Sequence, residues 1–189
     1  NIKLLLIGGR RKEDAQLFAI PLAPHFPEKK LYRDGVSVCT YTYERLFPHA
    51  KTLNMLGSYL AYREAQRKGC YDALLRNRNG DITEGTRTNF FVLKGKEILM
   101  APKEEVLEGV TMKHVLDVAR EQQLKITECR VTPDMITDCS GAFITSTSSK
   151  ILPLKSIDEI QLPSIPNELR ELMKGFDTFI ETWREEQRQ

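Results

Sequence analysis

The first hundred residues consist largely of short apolar runs separated by glycine, proline or polar turn residues. Runs of this length that are rich in β-branched and aromatic residues are typical of strands. Two turn signals, Asn79-Gly80 and Lys94-Gly95, predict hairpins in the second half of this region. The predicted strands are NIKLLLIGG, AQLFAIPL, VSVCTYTYERL and the consecutive strands of YDALLRNRNGDITEGTRTNFFVLKGKEILMAP.

Three other stretches repeat apolar residues at helical spacing. KTLNMLGSYLAYREAQRKG predicts a helix that stops at Gly69, EGVTMKHVLDVAREQQL predicts one with Thr111 as its N-cap, and the chain from Pro166 predicts a third. KITECRVT predicts a short strand, and GAFITSTSSKILPL predicts two strands around a hydroxyl cluster, the second ending before Pro153. Because strands, hairpins and helices are mixed, the pattern predicts an α+β (mixed α/β) fold of β-strands with packed helices.

Composition narrows the classes of protein that fit. The 189 residues are 41% apolar with a net charge of +2, and lysine and arginine form no basic stripe of the kind that binds nucleic acid. Four scattered cysteines show no metal-ligand spacing, so we expect no metal and favour a cytoplasmic protein. No apolar run reaches about 18 residues and no signal-peptide pattern is present, so we expect no membrane segment.

Two charged residues at the ends of predicted elements are candidates for chemistry. Lys51 lies in PHAKTLN among small or uncharged neighbours, where partial desolvation would lower the pKa of its amine and allow it to attack a carbonyl. Glu84 ends a strand in DITEGTRTNFFVLKG, where a fixed carboxylate could hold a proton on a heterocyclic nitrogen. Taken alone, each residue also fits an ordinary solvated surface charge.

Two further stretches are candidates for binding an anion. In LEGVT, Gly109 permits a close approach of the backbone, and the first helical N–H groups with the Thr111 hydroxyl would bind a phosphate. TSTSS, from Thr145 to Ser149, places hydroxyl residues at a strand end, where they could line a phosphate cup. Alone, the first stretch also fits an ordinary N-cap and the second a polar turn. Together with an amine and an anion for a ring nitrogen, they meet the requirements of pyridoxal 5′-phosphate.

The order and spacing of these motifs resemble the fold-type IV pyridoxal-phosphate enzymes, which include branched-chain aminotransferases, D-amino-acid aminotransferases and aminodeoxychorismate lyases. The matching stretches are KTLN, TEGTRTNFF, LEGVT and TSTSS, and the likeness runs from about Gly35 to the C-terminus. The resemblance implies the large cofactor-binding domain of the D-amino-acid aminotransferase-like fold over residues 35–189. It also implies an interdomain linker over 23–34 and a remnant of a small N-terminal domain over 1–22.

The resemblance implies a role for each matching residue. Lys51 is similar to the lysine that forms the Schiff base and moves a proton between Cα and C4′, and Glu84 to the partner of the pyridine nitrogen. Leu107 is similar to the leucine that packs on the cofactor ring. Gly85 is expected to shape the turn after the glutamate, and Asn89 to brace that turn. The residues expected at the phosphate are Gly109, Val110, Thr111, Ser146 and Thr147.

The chain departs from the family pattern where substrate would bind. Met112 stands where the family usually carries an arginine, the first strand lacks the Tyr-x-Arg of branched-chain members, and RRKEDAQ lacks the histidine of D-amino-acid members. The sequence starts at Asn1 inside a predicted strand, so we expect that most of the small domain is missing. That domain supplies a phosphate-binding arginine and half of the substrate pocket in the family, so the chain alone is expected to lose most activity.

The leading hypothesis is therefore an aminotransferase that exchanges the amino group between a branched-chain or similar amino acid and 2-oxoglutarate or another 2-keto acid. The resemblance also implies a homodimer. One alternative is an aminodeoxychorismate lyase, which uses the same cofactor groups to eliminate pyruvate. The other is a non-catalytic fragment that retains only the fold. The Glu-Gly pair at Glu84 and Gly85 favours the aminotransferase over the lyase.

Overall fold

A computed structural model describes residues 2–23 and 26–188 as a two-stranded sheet, a nine-stranded sheet and packed helices. The strands are β1 (Ile2–Ile7), β2 (Gln16–Pro21), β3 (Val36–Thr42), β4 (Asp72–Arg76), β5 (Ile82–Gly85), β6 (Asn89–Lys94), β7 (Glu97–Met100), β8 (Lys125–Glu128), β9 (Gly141–Ser146), β10 (Lys150–Ile157) and β11 (Ile160–Gln161). The α-helices are α1 (Lys29–Asp34), α2 (Leu56–Arg67), α3 (Val110–Glu121), α4 (Pro133–Thr137) and α5 (Asn167–Glu186). The predicted mixed α/β class is confirmed.

The first two strands form an antiparallel hairpin of their own, with Ile2 opposite Pro21 and Ile7 opposite Gln16. Their side chains are almost entirely exposed, so this hairpin contributes little to the core. α1 lies within the stretch that was predicted as the interdomain linker, and no helix was predicted there. Leu31 and Tyr32 pack against the core and stabilise this short helix.

Six strands of the large sheet close on themselves. β9 pairs with both β6 and β10, which completes a circuit through β10, β3, β4, β5, β6 and β9. Because side chains alternate between the two faces of a strand, every second residue points into this circuit. The interior is therefore a buried apolar cluster that includes Val38, Leu74, Phe90, Ile144 and Leu152.

The helices cover the outer face of the same strands. α3 and α5 pack over a cluster that includes the stacked rings of Phe91 and Phe143, whose centroids lie 4.9 Å apart. α2 packs against β4 through its small residues Ala61 and Ala65. Tyr62 of α2 lies against Arg87 in the turn between β5 and β6, and Gly109 at the start of α3 lies beside Asn89 at the end of that turn. Within residues 2–23 and 26–188, no helix is long and apolar enough to span a bilayer.

Several predicted boundaries move in the structure. The N-cap of α3 is Gly109, and Thr111 lies inside the helix, so the predicted cap at Thr111 is wrong. β10 continues through Pro153, although the sequence predicted that the strand would end before it. A proline lacks only the N–H donor, and its neighbours keep pairing, Leu152 with Ile144 and Leu154 with Val36. The short elements α4 and β11 were not predicted, because neither has a full period of apolar residues.

Candidate active site

Glu84 is a buried carboxylate near the end of β5, with 4% of its surface exposed. Its Oε1 accepts a hydrogen bond from Arg45 Nη1 at 2.8 Å, and its Oε2 accepts one from the Leu107 backbone N–H at 3.1 Å. Burial raises the pKa of Glu84, whereas these two partners and the charge of Lys51 oppose the rise. The carboxylate is thus fixed in place, and each oxygen keeps a lone pair free for one more donor.

The ion-pair partner of Glu84, Arg45, is a residue that the sequence did not single out. Its guanidinium also donates from Nη2 to the Ala50 carbonyl at 3.1 Å. Arg45 therefore connects the buried carboxylate to the residue directly before Lys51. The sequence placed Arg45 near the end of the predicted strand VSVCTYTYERL, where an arginine is usually a surface residue, but β3 ends at Thr42.

Lys51 lies in the irregular segment between β3 and α2. It is close enough to Glu84 for its charge to act on that carboxyl. Its side chain is exposed, however, and so are its apolar neighbours Phe47 and Leu53. The predicted low-polarity surroundings of this amine are therefore not formed by the described residues, because no element of residues 2–23 or 26–188 covers the segment.

Glu84 and Asn89 form a cross-strand pair that holds the segment before α3. Glu84 accepts from the Leu107 N–H, and the Asn89 amide donates to the Leu107 carbonyl at 2.7 Å. Both polar backbone groups of Leu107 are therefore bonded by side chains at the end of one hairpin. The Asn89 side chain was expected to brace the turn after Glu84, but its hydrogen bond goes to Leu107 instead.

The start of α3 meets the same pair of strands. A Cβ on Gly109 would lie 2.5 Å from Asn89 Oδ1, so only glycine fits here without displacing that side chain. No side chain caps the helix, and Val110 is 70% exposed while Thr111 is half-buried. The first N–H groups of α3 therefore have no side-chain acceptor among the described residues, as an anion site requires. Met112, in contrast, is buried in the core beneath α3.

The hydroxyl residues after β9 form a tight turn at the same end of the sheet. The Oγ atoms of Ser146 and Ser149 are 2.6 Å apart, and the Ser149 N–H donates to Ser146 Oγ at 3.1 Å. Thr147 is exposed at the tip. Thr145 pairs with Asn89 across the strands, and its Oγ1 is buried without a hydrogen-bond partner among the described residues. The turn thus lies beside the Glu84–Asn89 pair and offers hydroxyl donors to a ligand.

The turn between β5 and β6 is held by a second buried carboxylate, Asp72. It accepts hydrogen bonds from Thr86 Oγ1 at 2.5 Å, from Thr88 Oγ1 at 3.0 Å and from the Ala73 N–H at 2.9 Å. A Cβ on Gly85 would lie 2.0 Å from Thr88 Oγ1, which explains the glycine after Glu84. Burial raises the pKa of Asp72, and its hydrogen bonds oppose the rise. Sequence reasoning missed this residue because its threonine partners lie 14 and 16 positions away.

A cavity of about 830 Å³ lies beside the residues that are expected to bind the phosphate. Val110, Thr111, Ser146 and Thr147 contribute to its lining, together with apolar side chains of α5. Lys51 and Glu84 do not line it. The cavity therefore borders the residues expected to bind an anion, but it does not extend to the amine of Lys51 or the carboxylate of Glu84.

The described residues bring together most of the predicted site. A lysine lies near a buried, hydrogen-bonded carboxylate, and a glycine-led helix start lies near a hydroxyl turn. These groups fit an aromatic ring that carries an aldehyde, a protonated nitrogen and a phosphate, because each has a residue of matching chemistry. The unpartnered Thr145 hydroxyl is a further sign of a ligand site. This set of groups is the one that a pyridoxal-phosphate-binding domain requires.

Sequence comparison gives the family. The sequence model of the amino-transferase class IV family matches residues 1–157, and the chain belongs to this family. It is 31% identical over 166 residues to the "Putative branched-chain-amino-acid aminotransferase" of Methanocaldococcus jannaschii, covering 85% of this chain and 58% of that protein. It is 36% identical over 134 residues to the D-alanine aminotransferase of Bacillus licheniformis, covering 70% of this chain and 47% of that protein.

Comparison of structures agrees with the family. The crystal structure of a T.th. branched-chain amino acid aminotransferase complexed with N-(5′-phosphopyridoxyl)-L-glutamate superposes with a TM-score of 0.68 at 26% identity. The match covers 77% of this chain and 51% of that one. Pyridoxal phosphate is the cofactor of class IV aminotransferases, and the ligand of that relative carries a phosphopyridoxyl group. The chain thus spans about half the length of the proteins that it matches.

Proposed function

We propose that this chain is the cofactor-binding domain of a pyridoxal-phosphate-dependent aminotransferase. Its substrates in the proposal are an amino acid, branched-chain or similar, and 2-oxoglutarate or another 2-keto acid. The observation that carries the proposal is the buried Glu84 carboxylate, fixed by Arg45 and Leu107 near Lys51. A buried carboxylate that is held in place near an amine, with a lone pair on each oxygen left for a further donor, is a candidate functional group.

Each residue has a defined task in this proposal. The bound cofactor supplies an electron-withdrawing ring on which a C–H bond next to nitrogen becomes acidic. Lys51 would provide the amine that holds the cofactor through its aldehyde, and the same amine would carry a proton. Glu84 would accept a hydrogen bond from the ring nitrogen and keep it protonated. The N–H groups at the start of α3, with Thr111 and the hydroxyls of Ser146 and Thr147, would hold the phosphate.

The proposal is tested by adding pyridoxal phosphate to the purified chain. We expect a visible absorption band from the link between the lysine amine and the aldehyde. Reduction with borohydride should then fix the cofactor on the tryptic peptide that contains Lys51, as read by mass spectrometry. Labelling spread over exposed lysines such as Lys113 and Lys155, with none at Lys51, would contradict a cofactor site here.

The reaction type is tested with two substrate mixtures. One contains alanine with 2-oxoglutarate, and the other contains aminodeoxychorismate. An aminotransferase forms glutamate in the first mixture, whereas pyruvate release from the second alone would identify a lyase. If the absorption band is normal but neither product forms, the chain is a domain that binds the cofactor and requires other parts of the protein for catalysis. The homodimer and the cytoplasmic location stay predictions.

Glu84→Gln tests the role of the buried carboxylate. We expect the absorption band to persist, because the amide keeps the size of the side chain, while conversion of the bound cofactor by an added amino acid slows about 100- to 1000-fold. A neutral amide cannot hold the ring proton. The matched control is Glu44→Gln, since Glu44 is an exposed carboxylate paired with Arg78. Conversion by the Glu84 variant at the wild-type rate would remove Glu84 from the proposed site.

A further inference from the structure

Lys51 lies in an irregular segment, residues 46–54, whose contacts are mostly with itself. The Ala50 N–H donates to the Phe47 carbonyl at 3.0 Å, and the Thr52 N–H donates to the Ala50 carbonyl at 2.9 Å. The side chains of the segment are exposed or half-buried, and none belongs to a buried apolar cluster of the described residues. These contacts alone would leave the Lys51 amine free to shift relative to the sheet.

Arg45 provides the only hydrogen-bonded connection between this segment and the sheet among residues 2–23 and 26–188. Its Nη2 donates to the Ala50 carbonyl at 3.1 Å, and its Nη1 donates to Glu84 Oε1 on β5 at 2.8 Å. One guanidinium therefore bonds the residue directly before Lys51 and the buried carboxylate at the same time.

Both ends of this connection have a defined position. Arg45 follows the end of β3 by three residues, and the Tyr43 N–H still donates to the Arg76 carbonyl of β4 at 3.0 Å. Glu84 is buried on β5 and also accepts a hydrogen bond from the Leu107 N–H. The guanidinium of Arg45 is thus held in place relative to the sheet, and so is the carbonyl that it bonds.

The proposed cofactor requires its amine and its carboxylate at a set separation. The aldehyde and the nitrogen lie at opposite positions of one pyridine ring, so the groups that bind them must be held on opposite sides of that ring. Glu84 is fixed by its own hydrogen bonds, whereas the Lys51 segment is bonded to the sheet only through Arg45 in the described part of the chain. Building on the proposed function, we infer that Arg45 is a positioning residue that holds the Lys51 amine at the separation from Glu84 that the ring requires.

An arginine suits this task better than a lysine. A planar guanidinium presents several N–H donors at fixed angles, so it bonds two acceptors in a set arrangement. A lysine at position 45 keeps the positive charge beside Glu84, but it has a single nitrogen on a flexible chain. The variant Arg45→Lys therefore separates the connection to Ala50 from the charge compensation of Glu84.

The first measurement uses the chain without cofactor. Amide hydrogen exchange, read by mass spectrometry, follows residues 46–54 together with β5 and β6. We expect exchange in residues 46–54 to be about 10-fold faster in Arg45→Lys, the usual factor for one lost hydrogen bond from a charged donor, and exchange in β5 and β6 to stay unchanged. The matched control is Arg78→Lys, because Arg78 bonds Glu44 at 2.7 and 3.1 Å on the surface.

The second measurement compares two forms of the cofactor. Pyridoxal phosphate carries the aldehyde that links to Lys51, whereas pyridoxamine phosphate has no aldehyde and reports on the groups around the ring and the phosphate. In Arg45→Lys the visible band of pyridoxal phosphate should form about 10- to 100-fold more slowly, because the reacting amine is misplaced. The affinity for pyridoxamine phosphate should change less than about threefold. Arg78→Lys should match the wild-type chain with both compounds.

Any other result overturns the inference. An unchanged rate of band formation in Arg45→Lys, or unchanged exchange in residues 46–54, would show that Arg45 does not position Lys51 and would leave the proposed function intact. Faster exchange in β5 and β6, or an equal loss with both compounds, would show that Arg45 supports Glu84 or the fold instead. A wild-type chain that forms no band would overturn the proposed function together with this inference.

Discussion

Replacing Lys51 with alanine is expected to abolish the visible absorption band and all borohydride-stable attachment of pyridoxal phosphate. The amine of Lys51 is the nucleophile in the proposed site, and alanine offers no group that forms a link with an aldehyde. Because the side chain is exposed, the free energy of unfolding should change by no more than about 0.5 kcal/mol. Absorption titration and urea unfolding of the same preparation measure both quantities.

A control separates this effect from a general loss of lysine amines. Lys155 is an exposed lysine on β10, and Lys155→Ala should keep the full absorption band. If Lys51→Ala still formed the band and incorporated the cofactor after reduction, another amine would be the attachment site. The agreement between the KTLN motif and the role of Lys51 would then be accidental.

Arg45→Met is expected to destabilise the fold by roughly 3 kcal/mol near neutral pH. Removing one partner of a buried ion pair leaves the other charge uncompensated, a loss of about 3–5 kcal/mol when both groups are fully buried. We expect the lower end of this range because the Arg45 side chain is 20% exposed, whereas that of Glu84 is 5% exposed. Methionine retains most of the apolar stem, so packing changes little. Urea unfolding at constant protein concentration measures the difference.

The loss in Arg45→Met should depend on pH. Arg45 opposes the rise that burial causes in the pKa of Glu84. Without Arg45, this pKa in the folded chain rises further above its value in the unfolded chain. Such a group binds more protons in the folded state, so its contribution to stability is fully present below the unfolded pKa and is lost as pH rises through the folded pKa. The deficit relative to wild type should therefore be larger at pH 8 than at pH 5.

The exposed pair Arg78–Glu44 is the matched control for this prediction. The Arg78 side chain is 78% exposed, and an ion pair that solvent screens in this way contributes little to stability. Arg78→Met should therefore leave the urea midpoint almost unchanged at both pH values. An Arg45→Met deficit that is the same at pH 5 and pH 8 would show that lost packing, rather than an uncompensated Glu84 charge, causes the destabilisation.

Much of the fold could be predicted because its signals are local. The hairpin turns at Asn79-Gly80 and Lys94-Gly95 are present, with positive φ at both glycines. The three long helices appear where apolar residues recur at helical spacing. The short helix α1 was missed, since Leu31 and Tyr32 gain their stabilisation from contacts with distant strands. Pro153 caused a different error, because the sequence predicted that the strand would end before it. A proline is compatible with a strand when the residues on either side remain paired.

The sequence by itself determined the family motifs, the order of the longer strands and helices, and the candidate residues Lys51 and Glu84. Only the tertiary structure decided what surrounds them. The contacts that build the site join residues between 14 and 39 positions apart. They are the ion pair of Arg45 with Glu84, the hydrogen bonds to Leu107 and the hydrogen bonds of the threonines to Asp72. Such contacts follow from how the strands pair in space, and no local propensity encodes them. The exposure of Lys51 was decided in the same way, by which elements cover its segment and which do not.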